Sequence, residues 1–300
     1  MKSKRMLIKS VSRAILHIVA VACGALAFAP HASASDSHPP KVLVIVSSEN
    51  ELPLREGEVY PTGYYLNELI VPVRKMIDRG YEIVFANPKG NTPTMDKRSD
   101  SPDHFGKDPL LYALYRKFHD GLEGLQTPQK LSNVIEKGLK QYSAVFFPGG
   151  HASMVDLIQD KDVGKVLNYF HLAGKPTALI CHGPIALIST LKDPEAFVRA
   201  IEKGDKEEAL KLASGWPYAG YQMTIFSTPE EQVAEKSQLG GRVRFYPDAA
   251  LIAAGGKVEV AEPWSPNVVK DRELITGQNP GSDGQIAETL IRAIEENEPN

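Results

Sequence analysis

The residues best suited to chemistry in this chain sit side by side at a corner. In "PTALICHGPIAL", residues 176–187, an apolar run of strand character ends at Cys181, and His182 follows at once. Gly183 and Pro184 then open a helical run with no linker. Gly183 suits a tight turn with no room for a Cβ, and Pro184 is preset for a first helical turn. A thiol at such a corner would stand above a sheet facing a helix N-terminus, the layout of a nucleophile elbow. The helix dipole and nearby amide N–H groups would favour its thiolate. Cys-His-Gly alone is equally compatible with a buried cysteine that merely ends a strand.

The other histidines limit the mechanism. They are His17, His31, His38, His104, His119, His151 and His171, and none follows His182. Glutamine amidotransferases and α/β-hydrolases need a base histidine after the nucleophile, so neither activity fits. If Cys181 has an imidazole partner, it is His182 or one upstream.

The chain has two cysteines, and the first, Cys23, falls in a leader-like segment. "MKSKRMLIKSVSR" carries five basic and no acidic residues; an apolar run from Ala14 to Ala29 follows, then "HASAS" with Ala32 and Ala34 in A-x-A spacing. This is the pattern of a secretory signal peptide, with cleavage expected near Ala34 and a periplasmic or secreted product. The run is too short and wrongly flanked for a spanning helix, and "AVAC" is a poor lipidation site. Cleavage takes the charged residues from 34 basic against 37 acidic to 29 against 37, a net charge of −8. An acidic surface argues against nucleic acid or anionic membranes as partners. One thiol remains, so no internal disulfide can form.

Strand-like and helical stretches alternate around the corner. "KVLVIVSS", "YEIVFANPKG", "SAVFFPGG" and "KPTALIC" read as buried strands, separated by helical runs such as "LNELIVPVRKMIDRG" and "LSNVIEKGLKQY". This order predicts an α/β fold, a mostly parallel sheet sandwiched by helices, over 35–300 as a single domain. Residues 192–218 read as a charged helical insertion on the surface. "YQMTIFS", "VRFYP", "KVEVAE" and "VVKDRELITG" read as short late strands, the last a hairpin turning at Lys270–Asp271. A closing helix follows. Ligands of open α/β sheets gather at the carboxyl ends of the strands, which is where Cys181 sits.

Glu68 lies off the apolar stripe of its helix, ordinarily the mark of a solvated carboxylate. Pro72, four residues on, cannot donate to the Glu68 carbonyl, which predicts a local kink there. A carboxylate so placed could be held over the sheet edge, and burial beside a thiol would raise its pKa and keep it protonated. His151, after the glycines of "FFPGGHAS", could touch a substrate or simply bond backbone in a turn. Tyr60, Tyr64 and Tyr65 could line a pocket, though core packing is the ordinary reading; Trp264 and Asn267 read as pins for the closing hairpin rather than ligand contacts.

Four ordered motifs, "LNELIVPV", "VFFPGGHASMVDL", "ALICHGPIAL" and "EPWSPNVVKDRELITGQNPGS", together resemble the ThiJ/PfpI superfamily, from about Lys41 to the C-terminus. Within it the chain is similar to the stress-protein branch that includes glyoxalase III enzymes. The resemblance implies a flavodoxin-like, class I glutamine amidotransferase-like fold with a C-terminal hairpin. It departs from the family at 192–218 and around 91–125, where lid and metal residues vary. It implies Cys181 as nucleophile, His182 as its triad neighbour and Glu68 as the carboxyl on the thiol. The third triad member would be Glu231, with Glu230 the other candidate. Backbone N–H groups of Gly150 and His182 would bind a developing oxyanion, with Gly149 and His151 beside the substrate. The implied activity is conversion of 2-oxoaldehydes such as methylglyoxal to 2-hydroxy acids such as D-lactate, with no cofactor and no metal, in a homodimer. The alternatives are an envelope holding chaperone with Cys181 as redox sensor, a protein deglycase, or a peptidase.

Overall fold

A computed structural model describes residues 39–297; the leader read as a signal peptide lies outside them. Seven strands build the main sheet: β1 (Lys41–Ile45), β2 (Glu82–Asn87), β3 (Gln129–Lys130), β4 (Ala144–Phe147), β5 (Thr177–Ile180), β6 (Val268–Asp271) and β7 (Leu274–Gly277). Their spatial order is β6-β7-β5-β4-β1-β2-β3. Every pairing is parallel except that of β6 with β7, the C-terminal hairpin.

Alternation along the strands sorts side chains to two faces. Leu43, Ile45, Val145, Phe147 and Leu179 face one core, shared with Val166, Phe170 and Ile185. Val42, Val44, Phe146, Ala178 and Ile180 face the other, shared with Leu66, Leu69, Ile70, Val73, Ile286 and Leu290. Burial on both faces is why these strands read as unbroken apolar runs. The second core is roofed by the helices Leu66–Asp78 and Asp283–Asn297, whose apolar stripes lie against the sheet. Among the described residues, no helix is long and apolar enough to cross a membrane.

Several local expectations are corrected. The hairpin turns at Arg272–Glu273, because Asp271 pairs with Leu274 and all four residues of β7 are buried. Arg272 takes the left-handed conformation the turn requires (φ 58°). "VRFYP" forms no strand; Val243 and Phe245 are buried in bends that lead into a helix, Pro247–Ala254. That helix is so evenly apolar that it has no helical periodicity to read. "YQMTIFS" contributes only Gln222–Met223, paired with Lys257–Val258 in a separate ribbon. The segment 192–218 is no appendage: its helices Pro194–Lys203 and Lys206–Leu212 put Phe197 and Ala209 into the first core, and Trp216 and Tyr218 follow them there. Pro72 lies inside the Leu66–Asp78 helix, which runs on past it; this bears on where the helix ends and leaves the expected kink at Glu68 standing.

Candidate active site

β5 ends at Ile180, and the next residue, Cys181, has φ 59°, a conformation costly for a side chain other than glycine. Two backbone bonds hold it there. Its N–H donates to the Gly277 carbonyl at 2.8 Å, and its own carbonyl accepts from the Phe226 N–H at 3.0 Å. Strain of this kind persists only when the surroundings enforce it, and it concentrates at functional sites. The run after the corner, Gly183–Thr190, is 3-10 rather than α-helical. A Cβ on Gly183 would stand 2.9 Å from the Phe147 carbonyl, so the turn needs glycine to pass the end of β4.

The Cys181 sulfur is 3.3 Å from His182 Nδ1, and His182 Nε2 is 2.8 Å from Glu231 Oε2. All three side chains are buried. Glu231 sits in the first turn of the Thr228–Ala234 helix. A carboxylate on Nε2 fixes the proton there and turns the Nδ1 lone pair toward the thiol. Glu231 is shared: its Oε1 is 2.7 Å from His151 Nε2, and the two imidazoles stack with centroids 3.9 Å apart. Burial would raise the Glu231 pKa, but the two histidines outweigh it and hold the carboxylate ionised. Burial lowers His182, aided by neighbouring His151, leaving a neutral base. For His151 burial pulls down, but Glu231 outweighs it and raises the pKa. Ligand atoms of His151, His182 and Glu231 lie within 4.8 Å of one another, a set that could also hold a metal ion.

Glu230 is a separate device. It is fully buried and accepts from the Ser227 N–H and hydroxyl, Gln278 Nε2, Asn279 Nδ2 and the Trp264 N–H. It caps the helix that carries Glu231 and ties down the Trp264 loop. The acid on His182 is Glu231.

Glu68, expected near the thiol, is completely buried there. Gly149 closes the gap: a Cβ at that position would lie 2.1 Å from Glu68 Oε2 and 2.5 Å from Cys181 Cβ. Gly150 has φ 111°, and a Cβ there would strike the Gly63 carbonyl at 2.1 Å. Both glycines are sterically required. The Glu68 carboxyl faces the Cys181 thiol and the Gly149 N–H, without a fully formed hydrogen bond to either oxygen. Burial raises its pKa to about 8, against the pull of those two contacts. It is thus mainly protonated at neutral pH.

The expected thiolate is corrected. Cys181 is 3% exposed, and burial, reinforced by the adjacent Glu68 carboxyl, pushes its pKa well above the ordinary thiol value. The backbone N–H of His182, directed at the sulfur, pulls the other way and is too weak to win. The resting group is a thiol flanked by a neutral base and a protonated acid.

A small cavity of about 30 Å³ opens over the sulfur, lined in part by Tyr65, Gly150, His151, Phe226, Gln238 and Trp264. Larger concavities, a charged groove near Asp156 and Lys161 and an apolar one near Leu210 and Ile252, lie away from Cys181. The structure therefore gathers Cys181, His182, Glu68, Glu231, Gly149, Gly150 and His151 in one place. Sequence reasoning ranked core packing above pocket lining for Tyr65 and hairpin pinning above ligand contact for Trp264; both line the cavity. Trp264 gave a signal only in three dimensions: φ 66° and a residue 45% exposed, its ring packed edge-on to Phe226 at 5.6 Å.

Residues 60–213 match the family described as ThiJ/PfpI family-like. The chain is 26% identical over 259 residues to a protein/nucleic acid deglycase HchA of Staphylococcus aureus, covering 85% of this chain and 80% of that one. Among solved structures it is similar to glyoxalase III from Candida albicans (25% identity, TM-score 0.63, 86% of this chain and 98% of that one). It also shares the fold of the Rapid Encystment Protein 24 KDa of Francisella tularensis (23% identity, TM-score 0.62, 85% and 99%).

Proposed function

The chain belongs to the ThiJ/PfpI family, and we propose that it is a glyoxalase III-type enzyme converting small 2-oxoaldehydes, such as methylglyoxal, to 2-hydroxy acids, such as D-lactate, without glutathione. The observation that carries this is the pairing around one sulfur: a neutral His182 at 3.3 Å on one side and a protonated Glu68 on the other. An isomerisation that moves hydrogen between adjacent carbons needs two such groups. The likeness to a glyoxalase III supports the reading.

The steps balance on these groups. The sulfur adds to the aldehyde carbon C1 as the thiol proton passes to His182 and the Glu68 proton passes to the C1 oxygen, giving a hemithioacetal. The Glu68 carboxylate takes the C1 hydrogen while His182 protonates the C2 oxygen, giving an enediol. Glu68 then returns its proton to C2 and His182 takes the C1 hydroxyl proton, leaving a thioester. Water attacks C1, giving one proton to Glu68; the C–S bond breaks and His182 reprotonates the sulfur. The N–H groups of Gly150 and His182 are the candidates to hold the oxygen on C1.

The likeness to a deglycase supports a second reading, in which the same thiol adds to the carbonyl carbon of a glycated adduct. A cavity of about 30 Å³ under Trp264 favours the small substrate. The test is to incubate the protein with methylglyoxal in glutathione-free D2O. Lactate is expected, its C2 bearing the hydrogen that Glu68 carried over from C1; absence of lactate, with repair of glycated peptide intact, would replace this reading by the second.

A further inference from the structure

Tyr65 is the one hydroxyl-bearing side chain lining the cavity over Cys181. It belongs to the segment that leads into the Leu66–Asp78 helix, and its backbone N–H is tied to the Gly149 carbonyl at 3.1 Å, so it moves with the site. Its hydroxyl oxygen is 3.1 Å from His104 Nε2, with the rings edge-to-face at 4.9 Å. The same nitrogen is 3.3 Å from the Arg98 carbonyl oxygen. A carbonyl only accepts, so Nε2 carries the proton. It follows that the Tyr65 oxygen accepts from His104. The hydroxyl hydrogen of Tyr65 then has no acceptor among the described residues and is free to donate into the cavity. The other cavity walls carry no lysine, arginine or carboxylate, and the His151 and His182 imidazoles among them bond Glu231 through Nε2.

The geometry points to Tyr65 as the donor that binds the second carbonyl oxygen, on C2, of a neutral 1,2-dicarbonyl, with His104 as the positioning residue that frees its proton. This rests on the 2-oxoaldehyde reading of the site. It explains how the site distinguishes a 2-oxoaldehyde from a simple aldehyde: both can add the thiol at C1, but only the former offers an oxygen on C2. A hydroxyl left unpaired by the wrong ligand is an effective discriminator. With no lysine or arginine among the cavity walls, 2-oxo acids are disfavoured.

The test compares wild type with Tyr65→Phe, His104→Ala and His104→Gln, using methylglyoxal and propanal. Two quantities are read: kcat/KM for methylglyoxal, and protection of Cys181 from slow alkylation by iodoacetamide at pH 8.5. Tyr65→Phe should lower kcat/KM by roughly 10- to 100-fold and abolish the advantage of methylglyoxal over propanal as a protectant, with protection by propanal unchanged. His104→Ala should follow it, and His104→Gln, which keeps an N–H donor, should restore part of the loss. An unchanged preference for methylglyoxal in Tyr65→Phe overturns the assignment, as does equal loss of protection by both aldehydes. If wild type turns over no methylglyoxal, the proposed reaction fails, but the protection ratio still decides the role of Tyr65.

Discussion

His182 and Glu231 meet at 2.8 Å with both side chains out of solvent, and that contact sets which nitrogen of the imidazole faces the thiol. Exchanging Glu231 for glutamine keeps the volume and removes the charge. His182 could then adopt the other tautomer, presenting an N–H to the sulfur in place of a lone pair. Glu231→Gln should lower kcat/KM for methylglyoxal by about 10²- to 10³-fold. It should also reduce thermal stability, because buried His151 loses the carboxylate partner that raises its pKa.

The Glu68 carboxyl binds its proton more tightly in the folded protein (pKa about 8) than in the unfolded chain (ordinary value 4.5). Between those values the native state holds more protons than the unfolded state, so stability falls as pH rises through the window from 4.5 to 8. Glu68→Gln removes this dependence. The variant should melt above wild type at pH 9 by at least about 2 °C and match it more closely at pH 5, measured by calorimetry. In wild type the alkaline limb of kcat/KM should fall with an apparent pKa near 8 as Glu68 loses its proton. The acid limb should reflect protonation of His182, below its ordinary value.

Glu230 and Glu231 are neighbours with different work. Glu230→Ala removes the acceptor of the part-buried Trp264 N–H and of the buried Gln278 and Asn279 amides. It should cost about 2–4 kcal/mol, a fall in melting temperature of roughly 5–10 °C. Residual activity per folded molecule should exceed that of Glu231→Gln, because the contact of His182 with its carboxylate is untouched.

The corner at Cys181 was legible because strand, glycine and proline are contiguous, and so was the parallel sheet, whose strands are apolar on both faces. Glu68 was legible only through Pro72 and the family motif: its burial depends on Gly149, which a sequence separation of 81 residues hides. The choice between Glu230 and Glu231 could not be made from spacing, since adjacent residues of one helix point apart and only the tertiary partners reveal which reaches His182. The pull of a helix N-terminus on the thiol was overestimated because burial of Cys181 and the facing carboxyl act the other way. Tyr65 and Trp264 favoured the packing reading over the pocket one, as aromatic residues at those spacings usually pack a core. The segment 192–218 misled through its charged outer face, while Phe197 and Trp216 anchor it.

Steady-state turnover of methylglyoxal without glutathione, compared among wild type, Cys181→Ala and Glu68→Gln, tests the central claim most directly. The account predicts background rates for Cys181→Ala and at least a 10²-fold loss for Glu68→Gln, on the order expected for a proton-transfer group. Equal rates in all three proteins would contradict it.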